Sequence, residues 1–571
     1  MQLFGDRAPL QTVRLGLAAL ALMLPWLFGL TYGPATNIMP LLFACGAAGV
    51  FILISPQLAL SWGSRIGLLA LPALLVLHGV LVPSPWPQGA AATILALGLF
   101  YLLARGSHAW YSQGRQDHAA ARYLTLAIAL AAMLSSAIAL AQYFQIAAGY
   151  SPWIHPGNAS RVFANLRQPN QLATLTAIGF GIVVCINLPK PWASKKPGLQ
   201  ALSWYSLAYA AQLMVLALLA FAAAATLSRT GLLAWVFIYA ACSYWALRGL
   251  LPARAWGWAT LALLLYAGFS FGLSQGWGAA EATAAAQVDA MERLANTDGG
   301  DARLLIWQHV LDAIAAKPWL GWGWGNLGYA LLLTPHSQPL TVMVDNAHNL
   351  PLQLAAELGL PFALLFVLAV WVWLLRRKPW AEGEPLKQAA LLILLPIGLH
   401  CLLEYPLWHG PFLIASAFAF GLLQKPAQRA AVAGRQKLGT AFTVIAGMSA
   451  LIFALYAAQD WRSVSQVYLQ PEQRNASIVS KNDWLEESLE SRVFAPYAAF
   501  AEMGITALTQ ENAAAELLRA QDLLHFSAET RVVKRAENAA AMQGRQDWAA
   551  YYAELLHKNL HPQHVPVAPV E

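Results

Sequence analysis

The stretch Asp345 to Phe366, DNAHNLPLQLAAELGLPFALLF, joins a group of polar side chains to a long apolar run. His348 stands at the junction, and a neutral imidazole there is a competent general base for a hydroxyl group. Asn349 is a plausible N-cap for the helix that follows, and Pro351 suits its first turn. The positive end of that helix, together with nearby arginines, favours the neutral form of His348. Taken alone, the stretch favours an interfacial histidine that does no chemistry.

Two acidic residues are candidate partners of His348. Glu357 follows it by about two and a half helical turns, so the two side chains do not share a helix face. We therefore expect a structural role for Glu357. Glu404, with Tyr405 beside it, belongs to a separate corner, HCLLEYPLWHG. This acid and this phenol can meet His348 only through the tertiary fold.

Arginines next to apolar segments are the second feature with chemical potential. Arg229, in AATLSRTGLLAW, is costly between two apolar runs unless it has a partner or faces water, and snorkelling to the headgroups is the alternative. Arg161 and Arg167 lie in GNASRVFANLRQPNQLATL. Guanidinium groups bind phosphate in bidentate fashion, and amides such as Gln168 and Asn170 bind phosphate oxygens or sugar hydroxyls. Equally, the QPN triplet is ordinary turn and capping chemistry.

The segment DARLLIWQHVLDAIAAKPWLGWGWGNLGY predicts an amphipathic helix followed by a run of tryptophans and glycines. Arg303, Trp307 and Val310 recur at helical spacing. One face of this helix is therefore expected to rest on the bilayer, with Arg303 directed toward the site. The tryptophans suit a membrane interface, where a structural belt and contact with substrate are both compatible with the pattern.

Composition predicts a membrane setting for all these residues. Of the 571 residues, 58% are hydrophobic and 11% are charged, whereas soluble domains are about 25% charged. We predict an all-α polytopic membrane protein with about 12–14 transmembrane helices. The four cysteines lie within apolar runs and are interpreted as packing residues, and no metal site is predicted. The apolar runs long enough to cross a bilayer begin near Val13, Asn37, Ile66, Ala90, Arg122, Leu172, Tyr205, Gly231, Trp256, Gln353, Lys387, Gly410 and Leu438.

Loop charges predict the orientation. Nineteen Lys and Arg residues fall in loops on the side of the N-terminus and six in the opposite loops, which places the N-terminus inside. Residues 1–458 are then a transmembrane domain whose large outward loop, about 275–352, holds the His348 motif. Residues 459–571 are expected to form a soluble helical domain on the outer side, because segments such as NAAAELLRAQDLLHF have helical periodicity.

Taken together, these motifs resemble a known family. DNAHNLPLQLAAELGLPFALL and the preceding ARLLIWQHVLDAIAAKPWLGWGWGN resemble the signature of the O-antigen ligase and polymerase superfamily. RVFANLRQPNQLATL and LLEYPLWHGPFLI are similar to motifs of bacterial O-linked protein oligosaccharyltransferases of the PglL type, which glycosylate pilins. The resemblance runs from about residue 160 to 423, and more loosely through the tail. Two positions depart from the family pattern: Gln171 stands where histidine is common, and EYPL is followed by WHGPF instead of a Tyr-rich run.

The resemblance implies a transferase that moves a glycan from undecaprenyl pyrophosphate to a Ser or Thr hydroxyl of a protein such as a pilin. The reaction is expected on the periplasmic side of the bacterial inner membrane, with the lipid-linked donor, the acceptor protein and membrane lipids as partners. No cofactor, metal ion or nucleic acid is implied. By motif, His348 is the catalytic base, the donor pyrophosphate is bound by Arg161, Arg229 and Arg303, and the residues expected to contact substrate are Gln168, Asn170, Asn349, Glu404 and Tyr405.

Two other functions remain open. An O-antigen ligase or polymerase would use the same scaffold with a lipid A core or a growing glycan as acceptor. The helical tail and the EYPL corner favour a protein acceptor, which needs a docking surface. A transporter would carry ionisable residues near the middle of the membrane, whereas here they cluster near the outer rim. Because no paired carboxylates indicate a glycosyl-enzyme intermediate, single displacement with inversion is predicted.

Overall fold

The computed structural model describes residues 8–56, 62–113, 118–157, 161–186, 199–275, 298–336, 344–424, 433–475, 477–478 and 484–559. Within these ranges every regular element is a helix, and the predicted all-α fold is confirmed. The α-helices, numbered in chain order, are α1 (Ala8–Leu27), α2 (Ile38–Ile54), α3 (Trp62–Leu81), α4 (Gln88–Gln113), α5 (Ala119–Tyr143), α6 (Pro169–Ile186), α7 (Leu199–Ala225), α8 (Arg229–Leu247), α9 (Ala253–Ser274), α10 (Asp298–Ala316), α11 (Leu327–Leu333), α12 (Leu350–Leu358), α13 (Leu360–Arg377), α14 (Pro385–Cys401), α15 (Gly410–Leu422), α16 (Ala433–Gln466), α17 (Trp484–Leu489), α18 (Ala495–Ile505), α19 (Ala513–Leu524), α20 (Thr530–Met542) and α21 (Gln546–Asn559).

Many of these helices are membrane spans by length and composition. Nine of the described helices are long and apolar enough to cross a bilayer, namely α1, α4 to α9, α13 and α16. Four shorter apolar helices, α2, part of α3, α14 and α15, lie at the remaining predicted spans. The outer face of α13 exposes Leu364, Leu368 and Trp371, an apolar surface that suits lipid. The prediction of a multi-pass membrane protein is therefore confirmed.

Helix α6 lies at the centre of the bundle. Its residues from Gln171 to Ile186 are all buried, and it packs against α5, α7, α8, α9 and α14. Small residues permit this close packing, since a Cβ atom added at Gly179 would stand 2.7 Å from the Ala132 Cβ and one at Gly181 2.7 Å from the Leu392 Cβ. Close approach through small residues is how helices associate in lipid. The start of α6, which carries the QPN triplet, is thereby held in the middle of one end of the bundle.

The other end of the bundle collects basic residues that the charge pattern assigns to the inner side. Arg14 donates to the Ile54 carbonyl oxygen at the end of α2. Arg122 donates to the Ile186 carbonyl oxygen at the end of α6. Guanidinium groups thus satisfy carbonyl groups that helix ends leave without intrahelical partners. This arrangement separates a basic end from the end where α6 begins, as the loop charges predict.

Two predictions are wrong: that one face of α10 rests on the bilayer, and that a single membrane span begins near Gln353. The predicted range, about 275–352, is described at 275, 298–336 and 344–352. The α10 face that includes Val310 does not rest on the bilayer, because Val310 is fully buried in a cluster with Leu354 of α12. The run predicted to span from near Gln353 is also two helices, α12 and α13, which separate at Gly359. Gly359 has φ +88°, and a side chain there would collide with the Trp319 carbonyl oxygen, so glycine is required at the break.

The tryptophan–glycine run packs partly on the protein. The Trp322 backbone N–H donates to the Ala356 carbonyl oxygen, and the Gly323 N–H to the Glu357 carbonyl oxygen. The Trp322 ring is buried and donates to the Ala313 carbonyl oxygen, whereas Trp319 is exposed. Only part of the run therefore has the exposure of an interfacial belt.

The tail forms a helical cluster on the loop. Helices α19, α20 and α21 pack through a core that includes Leu524, Val532 and Tyr552, and Leu332 of α11 belongs to the same core. Helix α16 continues through residue 458 to Gln466, so backbone structure does not break at the predicted domain boundary. The division at 458/459 stays a prediction, and residues 560–571 of the predicted tail domain lie outside the described ranges.

Candidate active site

Glu404 connects the parts of the site. Its Oε2 atom is 2.7 Å from His348 Nδ1, and its Oε1 atom is 2.7 Å from Arg303 Nη2. The Asn170 side-chain amide donates to the same Oε1 across 3.2 Å. Glu404 is only 6% exposed. Three distant segments, the start of α6, the start of α10 and the turn before α12, therefore converge on one carboxyl group.

The charge of Glu404 decides the tautomer of His348. Burial alone would raise the pKa of the Glu404 carboxyl, but the hydrogen bonds and charges of His348 and Arg303 outweigh it and hold the pKa at about 2. An ionised carboxylate only accepts hydrogen bonds, so Nδ1 of His348 must be the donor. In the neutral ring Nε2 then carries the lone pair, as in the histidine of a Ser-His-Asp triad. The geometry therefore suits Nε2 to remove a proton from a hydroxyl group.

The backbone at His348 is held in an unusual conformation. Its φ of +51° is left-handed, which is uncommon for a residue with a side chain. The His348 N–H donates to Asn346 Oδ1 across 2.8 Å, and the Trp307 indole donates to the Ala347 carbonyl oxygen across 3.0 Å. Helix α10 thus supports the turn that directs His348 toward Glu404.

Asn349 fixes the start of α12, as the sequence predicts. Its Oδ1 atom accepts from the Leu352 N–H at 3.1 Å, which is N-cap geometry. Its side-chain amide donates to the Leu402 carbonyl oxygen at 3.2 Å, close to Glu404. The break at Gly359 corrects the position of His348. The residue lies beside the start of the short helix α12, not beside the start of the membrane-spanning helix α13.

Tyr405 lies between His348 and a polar cavity. Its ring meets the His348 ring edge-on, with centroids 5.2 Å apart, and it stacks on His409 at 5.9 Å. Burial raises the pKa of Tyr405 and lowers that of His409 to about 4. Both side chains are therefore neutral at neutral pH, so Tyr405 can donate or accept a hydrogen bond without adding charge.

The polar cavity extends from Tyr405 toward the C-terminal end of α1 and the start of α2. Gln168, Arg167 and His409 line it, together with Asn37 at the start of α2. A second, apolar groove runs between α2, α4 and α15. Leu41 and Gly410 line both spaces. The polar cavity and the apolar groove therefore lie next to each other.

Ser228 is a site residue that is not among those predicted from the sequence motifs. Its hydroxyl donates to Asn170 Oδ1 at 2.7 Å and accepts from the Gly231 N–H as the N-cap of α8. This places Arg229, the exposed first residue of α8, one residue from a side chain that binds Asn170. The serine just before Arg229 in LSRTG was the available signal, because serine is a favoured N-cap.

The predicted site residues divide into two groups. Those that the structure brings together are His348, Arg303, Asn170, Asn349, Glu404 and Tyr405. The other three lie further out: Gln168 lies in the polar cavity beyond Tyr405, Arg161 is half-buried in the loop before α6, and Arg229 is exposed at the start of α8. Among the described residues, no group of three His, Cys, Asp or Glu side chains is arranged to hold a metal ion.

Three protein-family models match stretches of the chain. The model described as protein glycosylation ligase matches residues 162–180, that of O-antigen ligase matches 214–367, and that of the C-terminal part of virulence factor membrane-bound polymerases matches 388–564. Residues 214–367 are therefore similar to O-antigen ligases. The family resemblance predicted from the motifs is confirmed.

Two oligosaccharyltransferases of Acinetobacter baylyi are similar to this chain. A general O-oligosaccharyltransferase is 29% identical over 377 residues, which cover 63% of this chain and 61% of that protein. A ComP-specific O-oligosaccharyltransferase is 30% identical over 125 residues, 22% of this chain and 23% of that protein. The chain thus aligns with less than two thirds of the length of either relative.

Each matched stretch contributes one wall of the site. The stretch 162–180 contains Gln168 and Asn170, the stretch 214–367 contains Arg303 and His348, and the stretch 388–564 contains Glu404. The three matched regions therefore meet at the Glu404 carboxylate.

Proposed function

We propose that this protein is an O-oligosaccharyltransferase that moves a glycan from undecaprenyl pyrophosphate to Ser or Thr hydroxyls of acceptor proteins. The observation that carries the proposal is the 2.7 Å hydrogen bond between His348 Nδ1 and Glu404, which leaves Nε2 as the base. Similarity to two O-oligosaccharyltransferases supports the same reaction. A pilin is the acceptor that the motif resemblance favours.

The reaction is a single displacement at the anomeric carbon of the donor. The acceptor oxygen forms a bond to that carbon while its O–H bond breaks and the proton passes to His348 Nε2. The bond between the anomeric carbon and the pyrophosphate oxygen breaks, and its electron pair leaves with the pyrophosphate. Attack from the opposite face inverts the configuration. General-base assistance of this kind contributes about a hundred- to ten-thousandfold in rate.

Cationic side chains stabilise the leaving pyrophosphate. We assign this role to Arg161, Arg229 and Arg303, because preorganised guanidinium groups neutralise negative charge that develops in the transition state. Arg303 also binds Glu404, and a guanidinium group has five N–H donors. Arg303 is thus suited to connect the general base and the leaving group electrostatically.

The lipid part of the donor lies in the apolar groove between α2, α4 and α15. Every side chain that lines this groove is apolar, including Cys45, Ala96, Leu99, Leu413 and Ala417. The lining of α2 extends from Ile38 to Ala48, about 15 Å of helix. That length is about half of a bilayer's hydrocarbon core, so the groove is long enough to serve one leaflet, and it lies beside the polar cavity.

The remaining substrates bind around the carboxylate. Gln168 and Asn170 contact the sugar or phosphate groups, Asn349 and Glu404 hold the base, and Tyr405 borders the acceptor hydroxyl. The helical tail, 459–571, offers the acceptor protein a docking surface. We place the site on the periplasmic side of the inner membrane, since the loop charges assign this end of the bundle to the outside.

A second function has specific support. The match of residues 214–367 to O-antigen ligases and of 388–564 to membrane-bound polymerases favours a lipid A core or a growing glycan as the acceptor. The same base and leaving group would serve that reaction. Only the acceptor distinguishes the two functions.

The deciding experiment expresses the chain with a lipid-linked glycan pathway and a pilin in bacteria that make lipid A. We expect a glycan-dependent mass increase of the pilin in intact mass spectrometry, which is lost in His348→Ala. His118→Ala is the matched control, because His118 binds the Tyr111 carbonyl oxygen at the opposite end of the bundle. Glycan on lipid A alone would support the second function, and a mass shift retained in His348→Ala would remove His348 as the base.

A further inference from the structure

We propose that Glu357 is a positioning residue that acts through Gln353 to hold the His348 turn in its reactive conformation. This inference rests on the proposed function, in which His348 is the base. Neither side chain contacts substrate in this proposal. Their role is to hold the backbone that carries His348 through two hydrogen bonds, from Ala347 to Gln353 and from Gln353 to Glu357. We call this pair of residues the brace.

Gln353 is the connection between Glu357 and the turn. Its Oε1 atom accepts from the Ala347 N–H at 2.7 Å, directly before His348. Its side-chain amide donates to Glu357 Oε1 at 2.9 Å. Because the amide nitrogen is committed to Glu357, the oxygen must face Ala347. Glu357 therefore sets the orientation of the group that binds the turn.

Glu357 is buried and accepts hydrogen bonds from two parts of the chain. It is 1% exposed, and the backbone N–H groups of Gly325 and Leu327 also donate to it. Burial raises the pKa of Glu357 to about 8, so the group is a neutral carboxylic acid at neutral pH. A buried neutral acid that accepts several hydrogen bonds avoids the cost of an unpaired buried charge. The brace thus joins α12 to the loop that leads into α11.

The turn needs such support because its conformation is strained. His348 has φ +51°, and a residue with a side chain keeps such a left-handed backbone only where its surroundings impose it. Three bonds impose it here: Asn346 to the His348 N–H, Trp307 to the Ala347 carbonyl oxygen, and Gln353 to the Ala347 N–H. Removing the last lets the turn relax and moves His348 away from Glu404.

The test compares Glu357→Leu, Gln353→Leu and the double variant in the full-length protein. We expect each single variant to lower kcat about ten- to hundredfold, as loss of alignment does, with KM for the lipid-linked donor unchanged. The double variant should lower kcat no more than either single variant does, because each substitution removes the same brace. Glu357→Gln keeps an uncharged acceptor oxygen and should restore most of kcat.

Hydrogen–deuterium exchange of Ala347 and His348 provides a readout without transfer. We expect faster exchange in the two Leu variants than in the wild type and in Glu357→Gln. Gln388→Leu is the matched control, since Gln388 is a buried glutamine that binds the Leu250 carbonyl oxygen at the other end of the bundle. It should lower thermal stability without changing kcat per folded molecule.

The outcomes separate the brace from the proposed function. Full kcat in Glu357→Leu, or additive losses in the double variant, would overturn the brace. Unchanged hydrogen–deuterium exchange at Ala347 and His348 would also overturn the brace. If the wild type transferred no glycan while exchange rose as expected, the brace would stand and the transferase function would fall.

Discussion

Glu404 accepts a hydrogen bond from His348 Nδ1 at 2.7 Å although 56 residues separate them along the chain. The same carboxylate binds Arg303 and Asn170. It is therefore the point at which the histidine, an arginine and the start of the central helix are held relative to one another. Its negative charge fixes the imidazole tautomer, and its burial makes each of these bonds stronger than it would be in water.

Replacing Glu404 with glutamine tests the tautomer argument. An amide has an N–H₂ group and an oxygen of similar shape, so it no longer obliges Nδ1 to donate. We expect Glu404→Gln to lower kcat about a hundred- to ten-thousandfold, the range of general-base contributions, with little change in KM for the donor. Initial rates of glycan transfer measure the effect.

Glu382→Gln is the control for that experiment. Glu382 also pairs with an arginine, Arg377, but at the basic end of the bundle. Its replacement should leave the transfer rate per folded molecule unchanged. A comparable loss of kcat in both variants would mean that the Glu404 effect is general destabilisation.

Glu404 also predicts a pH dependence of stability. Its pKa in the folded protein, about 2, lies below the ordinary value of 4.5, so ionised Glu404 stabilises the fold at pH values above 4.5. This contribution is lost as the pH falls from about 4.5 toward 2, because the unfolded chain then takes up the proton more readily. Thermal unfolding of purified protein measures it. The Tm difference between wild type and Glu404→Gln should shrink across that window, and a constant difference would contradict the shifted pKa.

Arg229 tests the assignment of the leaving-group site. It is the first residue of α8, next to the serine that binds Asn170. Hydrogen bonds to charged groups contribute about 1.5–3 kcal/mol, so Arg229→Ala should weaken binding of undecaprenyl pyrophosphate about tenfold or more. Competition against the donor gives the inhibition constant.

Arg229→Lys keeps the charge without the guanidinium fork, so it separates charge from geometry. We expect it to recover part of the affinity. Arg254→Ala, which removes an arginine near the start of α9 in a predicted inner loop, is the control. Equal affinity of wild type and Arg229→Ala would remove Arg229 from the pyrophosphate site.

The local features of the site follow from the sequence, whereas its central contact does not. Asn349 is an N-cap because capping depends only on neighbouring backbone groups, and the structure has this cap. The meeting of Glu404 and His348 depends on how the end of α14 packs beside α12, and no periodicity in either segment encodes that. The sequence identifies Glu404 and His348 as candidate site residues but does not show that they are in contact.

The errors have a related physical cause. The α10 periodicity predicts one apolar face but does not say what covers it, and Val310 turns out to pack on α12 instead of lipid. The break at Gly359 was hidden because the residues on both sides are apolar and helix-forming. Its signal was a glycine followed closely by Pro361, a pattern that ends one helix and begins another.

The apolar groove predicts selectivity for the lipid chain of the donor. Ala96→Phe places a large side chain in the groove, so part of a long polyprenyl chain loses its burial, at about 0.8 kcal/mol per CH₂ group. We expect kcat/KM for an undecaprenyl donor to fall about tenfold or more, a change of about 1.4 kcal/mol. A donor with a citronellyl chain, too short to fill the groove, should be used as efficiently as by wild type.

Two further variants make the groove test decisive. Leu413→Trp obstructs the groove from α15 and should show the same selectivity as Ala96→Phe. Gly98→Phe is the control on α4, since an added Cβ atom there meets no atom within 4 Å. It should affect neither donor. Equal losses for both donors in the groove variants would indicate distortion of the site instead of lost chain binding. Unchanged use of both donors would mean that the groove does not bind the lipid chain of the donor.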